Sequence, residues 1–234
     1  MDINDISLAS KMRLLTGQHI NVLDDMPNER LMELDNIFLD DDGLVKVLPA
    51  EIYRAVCTPE ELKLWCHLRA VYQLPTTELI DFISNHIEGK AIEIGSGNGS
   101  IGRALNIPMT DSKLQEVDEI KTYYTACGQP IVEYPKDIIH MEANKAINRF
   151  KPNTVIACWV TEWSKNPSKK TSYWGVDEIN VLYGKKYILV GNSDIHGDKK
   201  ILQFKHEVFQ YPWILSRATN QNNNMIWIWD KTIR

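Results

Sequence analysis

No apolar run in the 234 residues approaches the ~18 needed to cross a bilayer. The opening Met1-Asp2-Ile3-Asn4-Asp5 carries acid where a secretory leader carries base. Both absences imply a soluble, cytoplasmic protein without a membrane partner. Basic excess is also missing: 26 Lys and Arg stand against 31 Asp and Glu, a net charge of -5. The chain as a whole therefore has no electrostatic pull toward polyanions. Cysteine is scarce, with four residues at 57, 66, 127 and 158, none in a C-x-x-C pair and none with a histidine at metal-ligand spacing. A disulfide scaffold and a zinc site are excluded by that spacing. There is no internal repeat, and the biased stretch of Asn and Gln at 220–224 is short enough to be a hairpin loop. What is present is ordinary globular composition, 44% hydrophobic and 24% charged. At this length a fold buries roughly 70% of the unfolded surface, so the core needs no staple.

Residues 1–88 read as a helical extension and 89–234 as a second unit. Thr58-Pro59-Glu60-Glu61 is a helix start: a capping threonine, proline at the first helical position, and a glutamate to close a capping box. Leu62, Trp65, Leu68 and Tyr72 continue it at helical spacing. After Pro75, Leu79, Ile80, Ile83 and Ile87 share a face of a second helix that stops at Gly89. Asp40-Asp41-Asp42-Gly43 hints at calcium, but Phe38 stands where the loop pattern needs an acid, so a solvated turn is expected. From Lys90 onward short apolar runs at 91–94, 107–109, 138–140, 154–160, 187–190 and 225–229 alternate with helical stretches at 100–105, 113–127 and 143–150. This is the pattern of a doubly wound, mostly parallel α/β sheet. The runs at 201–209 and 225–230 have no long helix between them and are expected to pair antiparallel at one edge.

The informative stretch is Glu93-Ile94-Gly95-Ser96-Gly97-Asn98-Gly99, where an apolar strand runs into alternating glycines and then a helix. Glycines there permit a sharp turn and let a ligand approach the backbone. A dinucleotide frame can be drawn through Gly97, Gly99 and Gly102, but it leaves Gly95 and Ser96 between the strand and the first glycine. The frame E-x-G-x-G-x-G fits without a shift. It resembles the first motif of class I S-adenosylmethionine-dependent methyltransferases. Charge sign favours it, because Glu93 would repel a pyrophosphate and attract the sulfonium and ammonium of S-adenosylmethionine. The resemblance covers roughly residues 88–200 and implies a Rossmann-like fold with S-adenosylmethionine as cofactor. It implies that Glu93, Gly95, Ser96, Gly97, Asn98 and Gly99 surround the cofactor. It also implies that Asp111, 18 positions after Glu93, chelates the ribose hydroxyls. Glu142-Ala143 falls where the family has an Asp-Ala pair at the adenine, with glutamate for aspartate.

The fourth strand runs into Trp159-Val160-Thr161-Glu162, where the family faces the reactive methyl. The Asn/Asp-Pro-Pro-Tyr/Phe sequence of base-amino methylation is missing, and Cys158 follows Ala157 rather than a proline. Trp159 and Trp163 are candidate pocket walls, and Glu162 and His196 are candidate catalytic bases. Residues 164–175, with Lys165, Lys169, Lys170, Tyr173 and Trp174, have the composition of a loop beside the site. The expected activity is methyl transfer to a small molecule, with protein and RNA acceptors next in order. Two rivals stay open. One is a non-catalytic binding or scaffolding protein of the same fold; the other is an NAD(P)-dependent oxidoreductase using the alternative glycine frame.

Overall fold

The structure, a computed structural model, describes residues 26–126, 128–163, 175–182 and 185–230. Cys127, the lysines and aromatics at 165–174, and the acidic start of the chain lie outside the described residues.

Three helices open the described chain: α1 (Asn28–Phe38), α2 (Ala50–Val56) and α3 (Pro59–Leu68). Helix α3 begins on the expected capping box, with the Thr58 side chain taking the Glu61 N–H and the Glu61 carboxylate taking the Thr58 N–H. Glu61 also accepts from Arg30 at 2.8 Å, which lashes α1 to α3. Their apolar faces close a core of their own around Leu34, Phe38, Tyr53 and Trp65. Asp40 forms the solvated turn, its Oδ1 taking the N–H groups of Asp42 and Leu44. Helix α3 ends at Leu68, and Ala70 then turns into the left-handed region at φ 49°. Tyr72 therefore leaves the helical face on which its spacing had placed it. Helix α4 (Thr77–His86) packs differently from the first three. Its Leu79 and Ile83 pack with Ile156, Ile188 and Ile228 of the sheet, so by packing this helix sides with the sheet.

The sheet has seven strands in the order β3-β2-β1-β4-β5-β7-β6. These are β1 (Ala91–Ile94), β2 (Met109–Asp111), β3 (Ile139–His140), β4 (Thr154–Cys158), β5 (Lys186–Asn192), β6 (Glu207–Phe209) and β7 (Asn224–Trp229). The first five run parallel, and β7 is antiparallel to both β5 and β6. It is the doubly wound Rossmann-like arrangement with an antiparallel C-terminal edge. Between the strands lie α5 (Ser100–Ala104), α6 (Asp118–Ala126), α7 (Ala143–Phe150) and α8 (Glu178–Leu182), with the short α9 (Ser193–His196) after β5.

Two boundaries move from where apolar runs put them. Strand β2 starts only at Met109, because Pro108 has no N–H to give the ladder; its carbonyl accepts from Glu93 instead. Asp111 closes the strand, as its place in the sequence had implied. The helical stretch after it breaks at Lys113 (φ 52°) into a single 3₁₀ turn, Leu114–Glu116, before α6 begins. Strand order reverses between β1 and β4, and there a sheet of this kind opens a crevice at its carboxyl edge.

Candidate functional site

Strand β1 ends in a turn whose three glycines do three different jobs. Gly95, Gly97 and Gly99 all have positive φ, at 57°, 55° and 72°. A Cβ on Gly95 would fall 2.6 Å from Val160 Cγ1, so this glycine lets β1 lie against the end of β4. A Cβ on Gly99 would fall 2.5 Å from Ile138 Cδ1 and 2.8 Å from Met109 Sδ, so this one is a packing glycine under the turn. Gly97 alone faces open space, with Val132 Cγ1 at 4.0 Å the nearest atom to its missing side chain. Next to it Ser96 is buried, and its hydroxyl oxygen has no hydrogen-bond partner.

Two carboxylates hold this turn. Glu93 is fully buried in β1, and its Oε2 accepts the Gly102 N–H of α5 at 2.8 Å. Burial pushes its carboxyl up to about 8, with Asp111 adding to the shift and the Gly102 N–H opposing it. At Gly102 a Cβ would meet that same Oε2 at 2.6 Å, so glycine is required for the helix to sit on the acid. Asp111 ends β2 and is buried; its Oδ2 accepts from the Gly97 N–H at 2.9 Å and its Oδ1 from Lys113 at 2.7 Å. The Tyr134 hydroxyl donates to it as well. Burial raises its carboxyl from the ordinary aspartate value, and those N–H groups oppose the rise. A carboxylate accepts about four hydrogen bonds, so one position is left for a ligand hydroxyl.

Above the turn opens a cleft of about 880 Å³ including its solvent mouth, lined by Glu93, Gly95, Ser96, Gly97, Asn98 and Asp111 on its floor. Tyr72, Gln73, Tyr124, Val132, Tyr134 and Trp159 form its walls. Trp159 carries the most strained backbone there, an indole-bearing residue at φ 58°. It is held by its N–H to the Val190 carbonyl, by Nε1 on Gln73 Oε1 at 3.2 Å, and edge-on by His196 at 5.2 Å. Gln73 is oriented in turn, its Nε2 donating to the Leu215 carbonyl at 2.7 Å. A buried ion pair ties down the next residue, Val160. Lys199 Nζ reaches Glu178 at 2.5 Å and the Val160 carbonyl at 2.8 Å, and Glu178 accepts the Tyr187 hydroxyl at 2.7 Å.

Several residues expected at the site stand elsewhere. The Glu142 carboxylate is exposed and paired with Lys145 at 3.3 Å, and neither it nor Ala143 lines the cleft. The reason is that Glu142 caps α7 with its backbone in extended conformation, which throws the side chain outward. Gly99 is likewise buried in packing rather than open to the cleft. Glu162 is turned away by its bond to the Lys200 N–H at 2.9 Å. His196 sits buried behind Trp159, with Nδ1 accepting the Asn192 N–H at 3.0 Å. Burial holds its imidazole down to about 4, with the Lys199 charge adding to the shift. Neither candidate base faces the cleft. Conversely, Tyr72, Gln73, Tyr124 and Tyr134 were not read as site residues. A proline or glycine close by is the only local signal they carry, since chain reversals far apart in sequence bring them together.

No family profile and no curated protein matches the chain. Among solved structures, similarity is found to an rRNA methylase from Streptococcus thermophilus, at 12% identity over 65% of this chain and 93% of that one, TM-score 0.35. A Thermoplasma acidophilum protein aligns at 14% identity over 79% and 97% of the two chains, TM-score 0.32. The tRNA (uracil-54, C5)-methyltransferase of Pyrococcus abyssi, in complex with S-adenosyl-L-homocysteine, aligns at 11% identity over 64% and 36%, TM-score 0.33.

Proposed function

We propose that this chain is an S-adenosylmethionine-dependent methyltransferase whose acceptor is a small molecule. One observation carries the reading: the open Gly97 and the unpaired Ser96 hydroxyl share a cleft floor with Asp111, which reaches across from β2. Asp111 would take a ribose hydroxyl at its one open position, and the glycine turn would face the methionine part. Glu93 stands two residues before the turn in β1, and its Oε2 accepts the Gly102 N–H in the first turn of α5. Bound there, the cofactor supplies an electrophilic methyl with a built-in leaving group.

The chain's own part is then alignment and exclusion of water. Trp159, Thr161 and Tyr72 are lining residues outside the glycine turn, and an acceptor would stand against them. Among the described lining residues are two acids and three tyrosines but no histidine, lysine or arginine. Such a wall suits an acceptor atom with a lone pair already free, which needs no base to remove a proton. The absence of a basic group serves the non-catalytic binding reading equally, and activity separates the two.

Calorimetric titration with S-adenosylhomocysteine tests the proposal. Saturable binding is expected in the wild type, weakened at least tenfold in Gly97→Arg. No binding of either S-adenosylmethionine or its demethylated product removes the reading. Methyl transfer to a cellular small-molecule extract would dispose of the non-catalytic alternative.

A further inference from the structure

Arg217 lies in the loop between β6 and β7, and its guanidinium packs on Tyr72, a residue of the cleft wall, with no carboxylate partner among the described residues. Its backbone N–H bonds the Tyr72 carbonyl at 3.1 Å, and its guanidinium carbon sits 4.2 Å over the Tyr72 ring. Nη2 donates to the neutral Gln129 amide at 2.7 Å, while Nη1 is buried with no acceptor at all. The other partly buried arginines are treated differently. Arg30 pairs with Glu61, Arg69 with Asp35 and Arg103 with Asp137. Among the described residues no carboxylate pairs with Arg217. Its charge is nevertheless felt at Tyr124 and His67.

A buried guanidinium N–H without an acceptor is costly, and a planar fork with one free arm is shaped for an oxyanion. The supporting residues belong to the cleft: Tyr72 and Tyr124 both line it. The cleft therefore has acids on its floor, Glu93 and Asp111, and a cation without a carboxylate partner packed on its Tyr72 wall, in a chain whose net charge is -5. A cationic donor suits the first end and an anionic group the second.

We infer that Arg217 receives a carboxylate or phosphate group of the methyl acceptor between Tyr72 and Gln129. The inference rests on the methyltransferase reading for what the ligand is, though not for the anion site itself. Arg217 is a specificity residue: it selects acidic acceptors and leaves the cofactor end untouched.

Two probes test it, benzoate for a carboxylate and inorganic phosphate for a phosphate, each titrated calorimetrically and by thermal shift. Wild type is expected to bind at least one saturably, with a raised melting temperature. Arg217→Gln should weaken that binding at least tenfold, and Arg217→Lys, which keeps charge without the fork, should fall between. Which probe binds tells carboxylate from phosphate. S-adenosylhomocysteine affinity in Arg217→Gln should stay within twofold of wild type, which also reports that the variant is folded. If neither anion binds, or if binding is indifferent to both substitutions, the anion site is refuted. If anions bind through Arg217 but S-adenosylhomocysteine does not bind wild type, the site stands and the methyltransferase reading falls.

Discussion

Adding one methyl group at Gly97 and at Gly99 should have opposite consequences, although the two glycines are two positions apart in one turn. Both sit at positive φ, so Ala at either costs about 1–2 kcal/mol in backbone strain. At Gly99 the new Cβ also meets Ile138 Cδ1 at 2.5 Å and Met109 Sδ at 2.8 Å. Overpacking of that kind adds about 1–3 kcal/mol. For a chain of this size each kcal/mol moves the melting temperature by about 2–4 °C. Gly99→Ala should thus melt roughly 4–20 °C below wild type by circular dichroism. Whatever remains folded should bind S-adenosylhomocysteine with near-normal affinity. Gly97→Ala meets nothing closer than Val132 Cγ1 at 4.0 Å, so its melting temperature should drop by only a few degrees, about 2–6 °C. Its methyl instead occupies the cleft, and affinity should fall about tenfold, the equivalent of ~1.4 kcal/mol. Equal destabilisation by the two substitutions, or full binding by Gly97→Ala, would refute this division of roles.

Two further expectations concern the buried charges. Lys199→Met leaves the buried Glu178 carboxylate without its cation and should destabilise the fold by about 3–5 kcal/mol. Lys199→Met combined with Glu178→Gln, which still accepts from Tyr187, should recover much of that loss; denaturant unfolding of the single and double variants checks it, and a single-variant cost near zero would remove the pair as the support at the Val160 carbonyl. The Glu93 carboxyl, raised by burial to about 8, is neutral at pH 7 and gains its charge as pH rises through that value. Because the folded state holds this proton more tightly than the unfolded chain, stability should decline from about pH 4.5 up to pH 8. If Glu93 faces the sulfonium, the preference for cationic S-adenosylmethionine over neutral S-adenosylhomocysteine should grow severalfold between pH 7 and pH 9. The growth should vanish in Glu93→Gln, and a flat wild-type ratio would show that the acid serves only Gly102.

Local chemistry was enough to read much of the architecture. The capping box at Thr58, the strand Ala91–Ile94 and the helix Ala143–Phe150 depend on neighbours within a few positions, so their signals survive in one dimension. The glycine turn was legible for the same reason, and so was an acid at the end of the second strand. What tertiary structure alone decided is where side chains point once distant segments meet. Glu142 and Glu162 are ordinary acids in sequence; one caps a helix outward and the other answers the Lys200 N–H. His196 looks like a base in a loop, but it is packed neutral behind an indole. The cleft walls come from Tyr72, Tyr124 and Trp159, whose neighbours in space are dozens of positions away. Arg217 acquires its meaning only because the chain folds it onto Tyr72 and no carboxylate among the described residues pairs with it. Hydrogen-bond geometry within a turn is set by adjacent residues, whereas burial and charge pairing are set by the whole chain, and the chemistry of this site is made of burial and charge.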